Sequence, residues 1–251
     1  MRFVFIMVAV VLTACTGFSQ GNKYPSMEEE CKLSGSQDST QCQIVAMEDL
    51  TQAEKEYNIG ALYLFPSAGQ TEDCDKAKYW FESAAKQDNE KAINGLGLLY
   101  YTGCGVDVDY KKAAEYYQLA DAKGSLEAKV NLGELYRGGG PGVPQDYDKA
   151  LDWYEQGIED EPARAYNGLS LMNFMQGNSD QGVEYLEKSA ELGNGVAQYN
   201  LAVMYDEGNF GIHKNDKEKA KYWYEKSAAN GYADAQYNLD ILLEEMKQRA
   251  D

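Results

Sequence analysis

One frame recurs along most of this chain and constrains its fold more than any other feature. It reads Ile59-Gly60-Ala61-Leu62-Tyr63, Leu96-Gly97-Leu98-Leu99-Tyr100 and Leu132-Gly133-Glu134-Leu135-Tyr136, then Leu169-Ser170-Leu171-Met172, Leu201-Ala202-Val203-Met204-Tyr205 and Leu239-Asp240-Ile241-Leu242. The small or short central residue falls at 60, 97, 133, 170, 202 and 240, in steps of 37, 36, 37, 32 and 38. Five positions before it stand Ala92, Ala128, Ala165, Ala197 and Ala235. A period this regular requires a stacked array of one supersecondary unit.

A second signature runs in phase with the first. Lys76-Ala77-Lys78-Tyr79-Trp80-Phe81 recurs at 112–117, 149–154 and 219–224, and more weakly at Gly182 to Leu186. Small residues follow seven positions later, at Ala84, Ala120, Gly157, Ser189 and Ser227, about two helical turns on. Small and aromatic positions thus share one helix face, where the first permit close approach and the second fill the gaps. Trp80, Trp153 and Trp223 are assigned to this core. Gly124, Gly193 and Gly231 stand where a helix takes a left-handed C-terminal cap. The Gly-rich stretches 103–106 and 138–143 read as loops. Each repeat is therefore helix A, Gly loop, helix B, tight turn.

These motifs, Ala-x-x-x-Leu-Gly-x-x-Tyr, Gly-x-Gly-Val, Asp-Tyr-x-Lys-Ala and Trp-Tyr, resemble the Sel-1-like repeat, a longer-looped relative of the tetratricopeptide repeat. The resemblance covers about 50 to 251 and implies an all-α fold, a right-handed α-solenoid of stacked helix–loop–helix units. The expected organisation is a signal peptide over 1–14, a tether over 15–45, and over 46–251 about five repeats closed by a lone helix A. The fourth repeat departs from the pattern: its loop is the short Gln176-Gly177-Asn178-Ser179, and it lacks the Lys-Ala pair. In the tetratricopeptide relatives two columns of helix A face a groove. Here these are Asn58, Gly95, Asn131, Gly168, Asn200 and Asn238, and, one position earlier, Tyr57, Asn94, Val130, Asn167, Tyr199 and Tyr237. The resemblance implies a partner-binding set of Tyr57, Asn58, Asn94, Asn131, Asn167, Tyr199, Asn200, Tyr237 and Asn238, with Glu134 and Asp206 further along the same helices facing a basic partner. The competing reading of the Asn column is that it bridges neighbouring helices inside the array.

The N-terminus gives an address. Arg2 precedes an apolar run from Phe3 to Leu12, too short to span a membrane, and it reads as a secretory signal. Leu12-Thr13-Ala14-Cys15 matches a bacterial lipobox, which makes Cys15 the expected lipidation site; an ordinary signal cleaved elsewhere is the alternative. Thr16, rather than Asp, resembles an outer-membrane sorting signal, so a lipoprotein facing the periplasm is expected if the host has an outer membrane. Four cysteines remain, an even number suited to two disulfides in an exported chain. Of three pairings, Cys31–Cys42 and Cys74–Cys104 are preferred, because the loops carrying the second pair share one edge of a stack. No Cys-x-x-Cys occurs and His213 is the one histidine, so no metal is expected.

The net charge of −18 disfavours nucleic acid and anionic lipid as ligands and would steer a basic protein toward the array; solubility alone is the plainer reading. Catalysis finds little support. One histidine cannot furnish a triad on its own, no Gly-x-Ser-x-Gly occurs, and Gly138 to Pro144 lacks the Gly-Lys-Ser/Thr of a phosphate loop. Ser83-Ala84-Ala85-Lys86 fits the Ser-x-x-Lys of penicillin-binding enzymes, yet no Lys-Thr-Gly or Ser-Asp-Asn accompanies it. The expectation is a non-enzymatic, membrane-anchored envelope protein that binds a protein partner, as an adaptor or as an immunity protein against a periplasm-acting effector, without cofactor or small-molecule substrate. A β-lactam-binding or β-lactamase-like enzyme is the alternative.

Overall fold

The computed structural model describes residues 24, 26–33, 40–67, 70–209 and 214–250. The expected signal peptide, Cys15, Thr16, the Ser34 to Ser39 stretch and His213 lie outside the described residues. The chain divides into two compact bodies, Met1–Met47 and Glu48–Asp251.

In the first body, helix α1 (Met27–Leu33) and helix α2 (Thr40–Ala46) are joined by a disulfide between Cys31 and Cys42, with Cα atoms 4.6 Å apart. Part of the segment read as a tether is thus helical. Helices of seven residues are marginal alone. The cross-link holds this pair, and Cys42 and Ile44 are buried.

The second body is the array. Helices α3 (Gln52–Leu64) and α4 (Cys74–Ala85) form repeat 1; α5 (Glu90–Thr102) and α6 (Tyr110–Ala122) form repeat 2; α7 (Ala128–Gly138) and α8 (Tyr147–Gln156) form repeat 3. Repeat 4 is α9 (Pro162–Met175) with α10 (Ser179–Glu191), repeat 5 is α11 (Gly195–Glu207) with α12 (Lys217–Ala229), and α13 (Ala233–Ala250) follows as an unpaired helix A. No strand occurs among the described residues, only a single bridge between Gly140 and Val143. Each helix packs on its sequence neighbours, and α5 and α9 also touch the preceding A helices α3 and α7.

The frame residues explain the packing. Ala92, Ala128, Ala165, Ala197 and Ala235 are all fully buried. The last aromatic of each strong helix-B signature, Phe81, Tyr117, Tyr154 and Tyr224, is buried against helix A of its own repeat. A Cβ at Gly60 would stand 2.8 Å from the Phe81 ring, and one at Gly133 2.6 Å from the Tyr154 ring. Real side-chain carbons do not approach so closely, so the aromatic fits only over a bare backbone. Trp80 is buried, while Trp153 and Trp223 are half-buried against the core.

A recurrent clasp closes the loop between helices A and B. The backbone N–H groups of Asp73, Asp109, Asp146 and Asp216 donate to the carbonyls of Tyr63, Tyr100, Tyr136 and Tyr205 at 2.7–2.9 Å. Each of these Asp side chains caps its helix B by accepting from the backbone N–H of Lys76, Lys112, Lys149 or Lys219. Each Lys ammonium then lies over the same Tyr ring, 4.6–5.2 Å from its centre. Repeat 4 keeps only the backbone part: Asn178 N–H donates to the Asn173 carbonyl, and Asn178 makes no side-chain cap.

The turns after helix B use Gly124, Gly193 and Gly231 with φ of 91°, 91° and 84°. Repeat 1 places Asp88 in the same slot at φ 61°, the one non-glycine residue with positive φ among the described residues. A second disulfide joins Cys74, the first residue of α4, to Cys104 in the loop after α5, with Cα atoms 5.2 Å apart. It ties repeat 1 to repeat 2.

Candidate partner-binding face

The A-helix columns are divided between solvent and the seams between repeats. Asn131 Nδ2 donates to Asn94 Oδ1 at 2.9 Å, and Arg164 Nη2 donates to Asn131 Oδ1 at 2.8 Å. Arg164 is in turn paired with Glu161 at 3.0 Å. A polar ladder therefore runs across α5, α7 and α9. Another rung joins α13 to α11, where Asn238 Nδ2 donates to the Tyr199 hydroxyl at 3.0 Å. These four column residues bridge helices, and each commits at least one hydrogen-bonding group within the array before any partner arrives.

The glycines of the same column have the complementary reason. A Cβ at Gly95 would stand 2.9 Å from the Phe81 ring of the preceding repeat, and one at Gly168 would collide with Tyr154. Both glycines thus face the seam left by the previous helix B. Asn167 is half-buried and Asn200 is exposed. Tyr237, equivalent to Tyr199, is 69% exposed.

The two carboxylates expected to meet a basic partner are paired inside the chain. Glu134 accepts from Arg137 at 2.7 and 3.1 Å. Asp206 pairs with Lys217, which also reaches Glu245 at 3.2 Å. Their charge is largely offset locally, which weakens their pull on a distant cation.

The geometry instead draws attention to repeat 1. A cavity of about 350 Å³ opens between α3 and the turn into α5, lined by Glu54, Tyr57, Asn58, Asp88, Glu90 and Lys91 among others. Tyr57 and Asn58 belong to the expected set; the three carboxylates do not. Glu54 is the N3 residue of a capping box with Thr51: the Thr51 N–H and hydroxyl both donate to its carboxylate, at 2.8 and 2.7 Å. Those bonds hold its carboxyl below the usual carboxylate range. The Thr51-x-x-Glu54 spacing was the available sequence signal. Asp88 reaches the cavity through its left-handed backbone and pairs with Lys123 at 2.7 Å. The Tyr57 ring stacks on Phe81 with centres 5.8 Å apart. Burial, and then Glu127 and Glu90, raise its hydroxyl above the ordinary phenol range. With Asp88 offset by Lys123, Glu54 and Glu90 stand against Lys91, and the hollow keeps a net negative charge that suits a cationic or hydrogen-bond-donating group.

Ser83 is half-buried in the last turn of α4 and Lys86 is its exposed C-cap residue. Among the described residues no hydrogen bond joins them; the Ser83 carbonyl accepts from Gln87 Nε2. The Ser-x-x-Lys spacing here belongs to a helix end.

The Sel1 repeat pattern matches five consecutive segments, 56–89, 90–125, 126–160, 163–194 and 195–232. The chain belongs to the Sel1 repeat family. A Sel1 repeat protein from Oxalobacter formigenes superposes with a TM-score of 0.61 at 28% identity, covering 84% of this chain and 86% of that one. An immunity protein from Pseudomonas aeruginosa shares the fold, with a TM-score of 0.55 at 21% identity over 76% of this chain and 71% of that one. Among curated proteins, 65 residues are 43% identical to an ERAD-associated E3 ubiquitin-protein ligase component of Arabidopsis thaliana; the match takes in 26% of this chain and spans 10% of that protein. Repeats of this family are scaffolds for protein–protein interaction.

Proposed function

We propose that this Sel1 repeat protein is a non-enzymatic binding module of the cell envelope, anchored by lipid on Cys15, whose A-helix face takes a protein partner with a basic segment. The observation that carries the reading is the acidic cavity of repeat 1, lined by Tyr57 and Asn58, which shares helix α5 with the polar ladder of α5, α7 and α9. Partner entry there is steered by the net charge of −18. The same fold serves as an immunity protein in Pseudomonas aeruginosa. That supports neutralisation of a delivered effector as one form of the role, beside an adaptor in an envelope complex. A toxin gene adjacent to this one points to the first, and a secretion or polysaccharide operon to the second.

The test is capture from envelope extract with the mature chain, followed by mass spectrometry and a binding assay with the purified partner. Asn58→Ala with Glu90→Gln should weaken that partner several-fold and leave the helical signal unchanged. Undiminished binding by the double variant would remove repeat 1 from the site. For the anchor, Cys15→Ser should leave the chain at precursor mass, and normal maturation of that variant would defeat the lipid claim.

A further inference from the structure

Beside the second disulfide lies a group the binding role does not use. Glu72 Oε1 is 2.7 Å from Cys74 Sγ and 3.2 Å from Cys104 Sγ. One ligand atom from each of the three residues lies within 4.8 Å of the other two. In the oxidised chain the sulfurs carry no hydrogen and no charge, so the carboxylate gains little from them. Once the bond is reduced, the three become two thiols and a carboxylate at one point.

Each side of that point is ordered by backbone hydrogen bonds of its own. On the Cys104 side, the N–H groups of Gly103 and Cys104 both donate to the Leu99 carbonyl, at 2.9 and 3.1 Å. On the Cys74 side, Asp73 N–H donates to the Tyr63 carbonyl at 2.9 Å, and the Asp73 side chain caps α4. Gly105, at φ 68°, presses on Cys74 so closely that a Cβ would stand 2.9 Å from its carbonyl oxygen. The two Cα atoms, 5.2 Å apart, sit where this loop packs on the start of α4. Tetrahedral zinc with bonds of about 2.3 Å to sulfur needs the two sulfurs roughly 3.8 Å apart, which side-chain rotation from this spacing supplies. Cys104 is buried beside the core of repeats 1 and 2. A thiolate there needs a cation to offset the loss of water.

We propose that the reduced protein binds a thiophilic divalent cation, of the zinc or cadmium class, through Cys74 Sγ, Cys104 Sγ and the Glu72 carboxylate, so that metal replaces the disulfide as the tie between repeats 1 and 2. Reduction by a phosphine balances simply: the S–S bond breaks, phosphorus is oxidised to the phosphine oxide with oxygen from water, and the two water protons go to the sulfurs. Metal binding then releases both thiol protons to buffer as the two metal–sulfur bonds form. Oxidised and metal-bound states exclude each other, because a disulfide sulfur cannot act as a thiolate ligand.

The experiment uses the mature chain with Cys31→Ser and Cys42→Ser, which leaves one thiol pair. The phosphine-reduced protein is titrated with Co²⁺, and sulfur-to-cobalt charge-transfer absorption is followed in the near ultraviolet. One equivalent should produce the band, Zn²⁺ should displace it, and the oxidised protein should give none. Glu72→Gln should weaken Co²⁺ at least tenfold. Helicity is read on the same samples. Reduced protein that loses helicity in repeats 1 and 2 and regains it with Zn²⁺ supports the site equally. The proposal is overturned by a reduced, helical protein without the band, by a band that survives Cys74→Ser, by unchanged affinity in Glu72→Gln, or by lost helicity that Zn²⁺ does not restore.

Discussion

Three tyrosines sit where the repeat needs a large flat ring, and each brings a hydroxyl the core did not require. Burial pushes Tyr117, Tyr154 and Tyr224 well above the ordinary phenol range. The Tyr154 hydroxyl is buried beside the Arg137–Glu134 pair but makes no hydrogen bond of good geometry among the described residues. A satisfied hydroxyl contributes about 1 kcal/mol on average, and an unsatisfied buried one costs about 1–3. Tyr154→Phe should therefore leave stability at pH 7 unchanged or slightly higher, read as the urea midpoint. A loss of about 1 kcal/mol would mean that the hydroxyl is paired in solution. The pH dependence has a definite sign. For an acidic group whose folded pKa is raised, the stabilisation is complete below the unfolded value, near 10, and declines as pH rises toward the folded value. The wild type should weaken above about pH 10, and Tyr154→Phe should weaken less steeply.

At the scale of the helix pair, the clasp of Asp, Lys and Tyr governs how helix B leaves its loop. Asp146 caps α8 through the Lys149 N–H, and its own N–H holds the Tyr136 carbonyl. Asp146→Ala should cost about 1 kcal/mol, the usual worth of an N-cap, and hydrogen exchange should quicken first at the start of α8. The equivalent Asn178→Ala in repeat 4 should cost less, since that side chain makes no cap. Equal costs would show that the clasp contributes nothing beyond the backbone bond. Both halves of the clasp were legible in the sequence, as Leu-Gly-x-x-Tyr and as Asp-Tyr-x-Lys-Ala. Their meeting was not, because it depends on how the Gly loop returns. The helices, the Gly caps and the aromatic-over-glycine packing were legible because each is written as a local spacing. For the A-helix columns the sequence left two readings open, a groove-facing set and a bridge between neighbouring helices. Periodicity gives a shared face but not what lies opposite, and Asn94, Asn131, Tyr199 and Asn238 turned out to bridge helices. Gly95 and Gly168 were the overlooked signal, since a groove has no use for glycine and a seam does. The carboxylates of the cavity escaped because Asp88 and Glu90 lie on one side of a turn and Glu54 on a different helix.

Across the whole array, contacts run between neighbours in the stack. Stability then approximates a sum of repeat and interface terms, and damage should stay local. The Cys74–Cys104 bond spans a sequence separation of 30 and crosses the first interface. Chain entropy alone assigns a loop of this length about 3–4 kcal/mol. The close approach of Gly105 to the Cys74 backbone does not depend on a sulfur atom, so the interface should loosen without the array dissolving. Cys74→Ser with Cys104→Ser, read by amide hydrogen exchange on mature chain, should accelerate exchange in α3, α4, α5 and α6. Exchange in α9 to α12 should stay close to wild type. Because the acidic cavity lies at this same interface, the variant should also lose affinity for the partner. Acceleration spread evenly from α3 to α13 would mean that the repeats fold as one cooperative body, and the cavity of repeat 1 would then be no more adjustable than the rest of the stack.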